Sequence, residues 1–221
     1  MKRQIITTDD GSTTIFLPEW QEHYHSKHGA VQEAIHVFIN AGLRQLPTDK
    51  PIHILEVGFG TGLNCLLTRI EAKKAGLLIA YTGVEAYPVA PDEVLRMNYC
   101  EVLGKDGEPE FFESMHELPW DHEQKLVPDF TLTKRKQFFE DLDDADQFDL
   151  VYFDAFGSRV QPELWEEPIF KKMYRALKQS GILVTYSAKG SVRRLLQDLG
   201  FEVERLQGPP GKRHMLRAKK I

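Results

Sequence analysis

The residues best suited to chemistry lie in a glycine-rich segment, Glu56 to Gly62, which reads Glu-Val-Gly-Phe-Gly-Thr-Gly after an apolar run. Glycine allows a sharp turn after a strand and lets the backbone approach a ligand without a clash from a Cβ atom. A helix that starts after such a turn presents free N–H groups and a positive dipole end. The segment therefore predicts a loop that binds a nucleotide-like cofactor; the alternative is an ordinary tight turn.

The spacing of these glycines discriminates between cofactors. Counted from Gly58, the dinucleotide fingerprint G-x-G-x-x-G needs glycine at position 63, where this chain has Leu63, and Gly62 precedes it instead. This mismatch argues against a dehydrogenase. The pattern E-x-G-x-G-x-G resembles the cofactor loop of class I methyltransferases, which bind S-adenosyl-L-methionine (SAM). The resemblance implies cofactor contacts from Glu56, Gly58, Phe59, Gly60, Thr61, Gly62 and Asn64.

Two acidic residues end predicted strands. Glu85 closes the run Thr82-Gly83-Val84-Glu85, where a carboxylate can accept hydrogen bonds from both ribose hydroxyls; the alternative is a surface acid. Asp154 follows an almost continuously apolar strand, where an unpaired charge is costly, so a functional contact is expected there. The alternative for Asp154 is a helix N-cap or an ion-pair partner. Ser187 and Lys189 follow a later strand and are candidates for facing a substrate.

An alternation of strands and helices must position these residues. Strands are predicted near 52–57, 78–85, 148–154 and 181–187, and helices near 62–75, 91–103 and 164–178. This order is typical of a parallel, doubly wound α/β sheet, which binds ligands at the carboxyl ends of its strands.

The two ends of the chain depart from that alternation. After a helix near 191–199, strands near 201–206 and 215–218 are joined by Gly208-Pro209-Pro210-Gly211, a connection too short for a parallel crossover, so an antiparallel pair is expected. At the other end, Asp10-Gly11 predicts a hairpin between Gln4–Thr8 and Thr13–Leu17, and helical spacing predicts a helix over 30–46. We therefore divide the chain into an N-terminal extension, 1–48, and a main domain, 49–221.

Composition excludes several classes of protein. The 221 residues, 42% of them hydrophobic, suffice for one core and contain no apolar run long enough to span a membrane. Two cysteines, Cys65 and Cys100, give neither a metal spacing nor a disulfide framework, so a cytoplasmic protein without metal is expected. The net charge of −5 does not indicate nucleic-acid binding, but basic clusters leave room for a local positive face: Lys134-Arg135-Lys136, Arg193-Arg194 and Lys212-Arg213.

The chain also resembles one methyltransferase family in its residues. Glu56 to Leu66 is similar to the segment E-x-G-F-G-T-G-L-N-x-L of the methyltransferase domain of MnmC, which completes 5-methylaminomethyl uridine at the wobble position of certain tRNAs. The resemblance covers about residues 15 to 218. Upstream, it includes the segment Tyr24 to Asn40, with Gly29, Glu33, Val37 and Phe38. Its other motifs are Asp154-Ala155-Phe156, Pro162-Glu163-Leu164-Trp165, Val192-Arg193-Arg194-Leu195, Gly200-Phe201 and Gly211-Lys212-Arg213-His214-Met215.

This resemblance implies a fold and a reaction. The fold is a Rossmann-like class I SAM-dependent methyltransferase with a mostly parallel seven-stranded sheet and an antiparallel last strand. The reaction is methylation of the 5-aminomethyl group of wobble uridine, with Asp154 orienting the amine and accepting a proton. Glu85 would hold the ribose of SAM. The substrate contacts, made around the anticodon, would come from Lys189, Arg193, Arg194, Lys212 and Arg213.

Some positions depart from the family pattern, and alternatives remain. The family is commonly fused to a flavin-dependent oxidase, which this chain lacks, so a stand-alone form with a separate oxidase partner is expected. The acid that the family carries near the adenine is absent from Thr133 to Phe138, where Gln137 is the candidate replacement. Two other enzymes fit the same residues: a small-molecule N-methyltransferase and an aminopropyl-transfer relative. A catalytically silent tRNA-binding or assembly module would predict a broken cofactor loop, whereas the loop is intact.

Overall fold

The structure, a computed structural model, describes residues 2–221. It begins with a small antiparallel sheet of β1 (Gln4–Thr7), β2 (Thr13–Leu17) and β3 (Glu22–His23). The predicted hairpin is confirmed: Gln4 pairs with Phe16, and Gly11 turns the chain with a φ of +85°. β3 was not predicted because two residues carry no periodicity.

An eight-stranded sheet forms the centre of the molecule, in the order β10-β11-β9-β8-β4-β5-β7-β6. The four pairs between β9 and β7 are parallel, as expected for buried, apolar strands such as Phe148–Phe153. The strands are β4 (Ile52–Val57), β5 (Ile79–Val84), β6 (Glu123–Val127), β7 (Phe130–Arg135), β8 (Phe148–Phe153), β9 (Leu177–Thr185), β10 (Phe201–Gln207) and β11 (His214–Lys220).

The two edges of this sheet differ in how well the sequence predicted them. At one edge, β11 lies between β9 and β10 and is antiparallel to both, which confirms the antiparallel last strand. At the other edge, β6 pairs antiparallel with β7 and adds an eighth strand to the seven predicted. Glu123, Gln124 and Lys125 are all exposed, so this edge strand has no apolar alternation from which to recognise it.

The helices flank the sheet, and several are shorter than predicted. They are α1 (Ala30–Ala34), α2 (Leu63–Ala75), α3 (Pro91–Val94), α4 (Tyr99–Leu103), α5 (Pro109–Glu117), α6 (Glu167–Ala176) and α7 (Gly190–Asp198). The helix expected over 30–46 is α-helical only in α1, then π-helical over Ile35–Asn40, with a separate 3₁₀ turn at Leu43–Gln45. Further 3₁₀ turns lie at Gly104–Asp106, Phe139–Asp141 and Pro162–Trp165.

The helix predicted over 91–103 is divided into α3 and α4. The division lies at Asn98, whose side-chain carbonyl accepts a hydrogen bond from the Thr13 amide at 2.8 Å. Its side-chain amide donates to the Gly11 carbonyl oxygen at 2.9 Å. Asn98 therefore ties the N-terminal hairpin to the main domain, and helix α5, which was not predicted, follows this region.

Apolar side chains cover both faces of the sheet. One cluster joins Ile15 of the hairpin and Phe38 of the π-helical turn to Ile54 and Tyr152 of the sheet. The other packs α6 and α7 against the opposite face. The N-terminal residues thus contribute to a core shared with the sheet, while the division at residue 48 stays a prediction. Among the helices formed by residues 2–221, none has the length and apolar character needed to cross a membrane.

Candidate active site

A cavity of about 1160 Å³ opens at the carboxyl ends of β4, β5 and β8, where the topology predicts a ligand site. The glycine loop forms its floor, and the N-terminal segment 20–28 forms one wall. Nine of the predicted site residues line it: Glu56, Gly58, Phe59, Gly60, Thr61, Asn64, Glu85, Asp154 and Lys212.

The three loop glycines have left-handed backbones but different surroundings. A Cβ on Gly58 (φ +94°) would lie 2.6 Å from the carbonyl oxygen of Asp154, so glycine allows β4 and β8 to approach closely here. Gly60 (φ +48°) faces the cavity. Gly62 (φ +74°) is the N-cap of α2, and a Cβ there would lie 2.5 Å from the Met115 methyl carbon. Gly62 therefore packs behind the loop, outside the cavity lining of residues 2–221.

Phe59 and Thr61 stabilise the loop from below. Phe59 is buried, and a Cβ on Gly83 would lie 2.2 Å from its ring, so Gly83 makes room for that ring. The Thr61 hydroxyl accepts a hydrogen bond from the Tyr99 hydroxyl at 2.9 Å. The side chains of these two predicted cofactor residues are thus committed to packing and hydrogen bonding within the protein.

Glu85 is held against the glycine loop. One carboxylate oxygen accepts a hydrogen bond from the Gly60 amide at 3.1 Å, and the other accepts one from the Tyr87 amide at 2.9 Å. Burial raises the pKa of Glu85, and these amide bonds oppose the rise. The carboxylate keeps further lone pairs for hydroxyl donors, as the ribose prediction requires.

Asp154 is hydrogen-bonded to a series of buried side chains. The Asn64 amide donates both to Asp154 Oδ2, at 2.9 Å, and to Glu56 Oε1, at 2.8 Å. The Tyr81 hydroxyl donates to Glu56 Oε2 at 2.8 Å. Asn64 Oδ1 is buried and has no hydrogen-bond partner among residues 2–221. An unsatisfied buried acceptor is costly, so this atom indicates a missing donor, such as a ligand or a water molecule.

Asp154 and Glu56, the two acids linked through Asn64, both have raised pKa values. Burial raises the pKa of Asp154 to about 7, the charge of Glu33 adds to the rise, and the Asn64 hydrogen bond and Lys212 oppose it. Burial also raises the pKa of Glu56 well above its usual range. A carboxyl with a pKa near 7 can accept or release a proton at neutral pH, which suits general acid–base chemistry.

The sequence did not predict that the N-terminal segment covers the cavity. The Tyr24 ring lies edge-on to the Phe156 ring, with centroids 4.9 Å apart, and a Cβ on Gly60 would lie 3.3 Å from Tyr24 Cδ2. Arg159 fastens the segment by donating to the Trp20 carbonyl oxygen at 2.8 Å and pairing with Glu22 at 2.9 Å. Tyr24 thus lies over the loop as a wall of the site.

The predicted substrate residues divide into two groups. The Lys212 ammonium points into the cavity, pairs with Glu33 Oε1 at 2.5 Å and lies 3.8 Å from the centroid of the Tyr186 ring. The other four are exposed and, within residues 2–221, outside the cavity lining: Lys189, Arg193, Arg194 and Arg213. Lys189 donates to the Ser158 hydroxyl, and the two arginines are the fourth and fifth residues of α7. Glu33 and Tyr186 were not predicted, because only folding brings them beside Lys212.

The region expected to contact adenine also differs from the prediction. Gln137 lies outside the cavity lining within the described chain, 2–221, whereas Lys136, Phe138 and Phe139 line it. Phe138 is 47% exposed and packs edge-on against Tyr87, which is 63% exposed, with ring centroids 5.9 Å apart. Both rings line the cavity, so their exposed apolar area is available for contact with a ligand ring. Lys134 of the basic cluster is instead buried, donating to the His116 carbonyl oxygen.

Comparison with known proteins reveals clear relatives. A family model described as S-adenosyl-L-methionine-dependent methyltransferase matches residues 111–221, half of the chain. The bifunctional protein MnmC of Paracidovorax citrulli, named for tRNA 5-methylaminomethyl-2-thiouridine biosynthesis, is 31% identical over 99% of this chain and 35% of its own length. The chain thus spans about a third of the length of the curated relatives it matches.

Solved structures of other proteins have a similar fold. The crystal structure of MnmC2 from Aquifex aeolicus superposes with a TM-score of 0.77 at 25% identity, covering 98% of this chain and 70% of that one. DesVI of Streptomyces venezuelae has a TM-score of 0.51 at 12% identity, over 86% of this chain and 92% of its own, and shares the fold alone.

Proposed function

We infer the function from one premise: the chain belongs to the S-adenosyl-L-methionine-dependent methyltransferase family, and it resembles the methyltransferase part of MnmC. Its cofactor is SAM. We propose that it methylates the primary amine of a 5-aminomethyl group on wobble uridine in tRNA, acting in the cytoplasm. The observation that carries the proposal is the partly buried Asp154 carboxyl, which lines the cavity next to the glycine loop and has a pKa raised to about 7.

The residues of the cavity fit SAM. Gly60 leaves the loop without a Cβ atom on the cavity side, and Asn64 Oδ1 lacks a donor among residues 2–221. Six acids besides Asp154 line the cavity, which suits a ligand whose amino group and sulfonium are cationic: Glu22, Glu33, Glu56, Glu85, Glu140 and Glu163. Glu85 would hold the ribose, and Tyr87 and Phe138 would flank the adenine. When bound, SAM supplies an electrophilic methyl group.

The chain's own residues supply position and a proton acceptor. The acceptor amine must be neutral and aligned to attack, and holding it near attack distance supplies much of the rate, with effective molarities of about 10⁵ M or more. Asp154 would orient the amine and accept one of its protons. Asn64 fixes the Asp154 carboxylate through its hydrogen bond. Tyr24, Trp20 and Phe156 line the same cavity and would limit the access of water.

We infer the substrate and the partner of this protein from its relatives. Arg193 and Arg194 are the fourth and fifth residues of α7, the helix that follows β9, whose carboxyl end lies at the edge of the sheet that carries the cavity. We propose that these arginines, with Lys189 and Arg213, contact phosphates around a splayed anticodon base. Because the curated relatives are bifunctional, we also propose that a flavin-dependent oxidase produces the aminomethyl precursor as a partner of this protein.

Nucleoside analysis tests this function directly. Purified protein and SAM are incubated with tRNA that carries 5-aminomethyl uridine, and the digested nucleosides are examined by mass spectrometry. We expect the wobble nucleoside to gain one methyl group, and tRNA lacking the aminomethyl group to gain none. If a free small amine is methylated while the tRNA is unchanged, the protein is a small-molecule N-methyltransferase instead.

The proposed tRNA surface has its own test. Replacing Arg193 and Arg194 together by Ala should weaken tRNA binding on the order of tenfold, because each phosphate contact releases bound counterions. The slope of log affinity against log salt should fall by about 1.5 to 2. Filter binding at several salt concentrations measures both quantities.

A matched control removes the same charge elsewhere. Lys73 and Lys74 lie in the last turn of α2, about 20 Å along the helix from the glycine loop. Their double replacement by Ala should leave the slope unchanged. Equal effects of the two double variants would place the tRNA on another surface.

A further inference from the structure

The Lys212 ammonium occupies a cage inside the cavity. It pairs with Glu33 Oε1 at 2.5 Å and lies 3.8 Å from the centroid of the Tyr186 ring. A carboxylate beside an aromatic face is a favourable environment for a primary ammonium group, through charge-assisted hydrogen bonding and cation–π attraction.

The walls of this cage are held in place by bonds that do not involve Lys212. The Ser26 amide donates to Glu33 Oε2 at 2.7 Å, and the Glu33 side chain is 10% exposed. The Tyr186 hydroxyl donates to the Ala155 carbonyl oxygen at 2.8 Å. The walls are thus preorganised, whereas the Lys212 side chain is 34% exposed on a flexible stem.

The cage adjoins the proposed catalytic group. The charges of Glu33 and Lys212 both act on the Asp154 carboxyl. Tyr186 is anchored to Ala155, the residue after Asp154. Asn64, which bonds Asp154, lines the same cavity and has the unsatisfied acceptor Oδ1. An amine in this region would therefore meet carboxylates, a ring face and a buried acceptor.

We propose that Lys212 occupies the subsite of the acceptor amine, and that the substrate's amine enters the cage of Glu33 and Tyr186 as an ammonium, displacing the Lys212 ammonium toward solvent. It then passes one proton to the Asp154 carboxylate and becomes the neutral nucleophile. The inference rests on the proposed function in one respect, that the acceptor is a primary amine. It makes Glu33 and Tyr186 specificity determinants: a hydroxyl or carboxylate acceptor gains too little from the cage to displace an ammonium that is already paired there.

Binding of a small probe to the protein without SAM tests the proposal. Benzylamine, an ammonium at pH 7, is compared with benzyl alcohol by calorimetry or NMR titration. Lys212→Met removes the competing charge but keeps the apolar stem, so benzylamine should bind about tenfold more tightly than to wild type. Adding Glu33→Gln to Lys212→Met should lose that gain, and benzyl alcohol should respond to neither change.

Three further variants separate the cage from general effects. Lys219→Met, an exposed lysine of β11, should bind benzylamine as wild type does. Tyr186→Phe keeps the ring face and should bind the probe better than Tyr186→Leu does. If Lys212→Met does not fold, Lys212→Gln takes its place. Unchanged benzylamine affinity on removing Lys212, or equal affinities of the two Tyr186 variants, overturns the proposal.

The outcomes also separate this inference from the proposed function. If tRNA is methylated but benzylamine binding is unaffected by the substitutions of Glu33 and Lys212, the proposed subsite is wrong and the proposed function stands. If benzylamine behaves as expected but tRNA is not methylated, the amine subsite stands and another amine is the substrate.

Discussion

Asp154→Asn is expected to slow methyl transfer by about 10² or more while SAM still binds, because a positioned acid–base group contributes on this scale. The substitution keeps the size of the side chain but removes the carboxylate that would orient the amine and accept its proton. Single-turnover kinetics on tRNA measure the chemical step, and calorimetry measures SAM affinity separately.

A second acid on the same strand provides the control. Asp149 lies near the start of β8, accepts a hydrogen bond from the His53 amide at 2.8 Å and pairs with Lys178. Asp149→Asn should leave the single-turnover rate near that of wild type. If Asp154→Asn also does so, Asp154 has a structural role and the catalytic assignment fails.

The raised pKa of Asp154 also provides a check on its environment. Because the folded-state value of about 7 exceeds the ordinary value of 3.8, the folded protein binds the proton more tightly between these pH values. The contribution of this carboxyl to the free energy of unfolding of wild type should therefore fall as pH rises from 4 to 7. The side chain of Asp154→Asn cannot titrate. Between pH 4 and pH 8, the free energy of unfolding of this variant should therefore rise by about 2–4 kcal/mol relative to that of wild type, as denaturant titration measures.

The parts of the site that lie directly after strands of the main sheet could be predicted from the sequence. Strands β4 and β8 are nearly continuous apolar runs, as burial on both faces requires, so their bounds and the acid after β8 were recognisable. The glycine pattern marked the loop because its backbone needs positive φ at Gly58, Gly60 and Gly62. Parallel strands end at one edge, so Glu85 and Asp154 were expected to share a cavity, and both line it.

The rest of the site depends on contacts between distant segments. Tyr24 and Glu33 precede the sheet, and no local pattern shows that they fold over the glycine loop. Lys212 looked like a surface base because a sequence does not show side-chain direction in a loop, yet its ammonium points inward to Glu33. Such residues would be recognisable only from a pairing partner that lies 179 positions away.

Two features of the fold that the sequence did not predict have a related cause. The break between α3 and α4 depends on Asn98 bonding the hairpin, a contact across 85 positions that overrides helical spacing. Strand β6 forms because β7 offers a free edge, although its own sequence is polar. In both cases tertiary contacts outweigh local propensity.

Gly60→Val is expected to abolish measurable SAM binding, a loss of at least about 10²-fold. Gly60 has a φ of +48° and faces the cavity, so a branched side chain there would enter the space available to the ligand and press on Tyr24, 3.3 Å from the new Cβ. The Gly60 amide also holds Glu85 at 3.1 Å, so a distorted loop would move the residue proposed to bind the ribose. Calorimetric titration with SAM measures the loss.

The expected loss of SAM binding must be distinguished from the effect of backbone strain alone, and a variant at Gly76 is the control. Gly76 follows α2 with a φ of +68°, and a Cβ there would meet no atom within 4 Å. Gly76→Val should therefore carry a similar backbone cost, about 1–2 kcal/mol of unfolding free energy, without loss of SAM affinity. If both variants fold and both bind SAM as wild type does, the glycine loop is not the cofactor site, and if both lose SAM equally, the loss reflects destabilisation. The assignment requires that only Gly60→Val loses it, because only Gly60 lines the cavity.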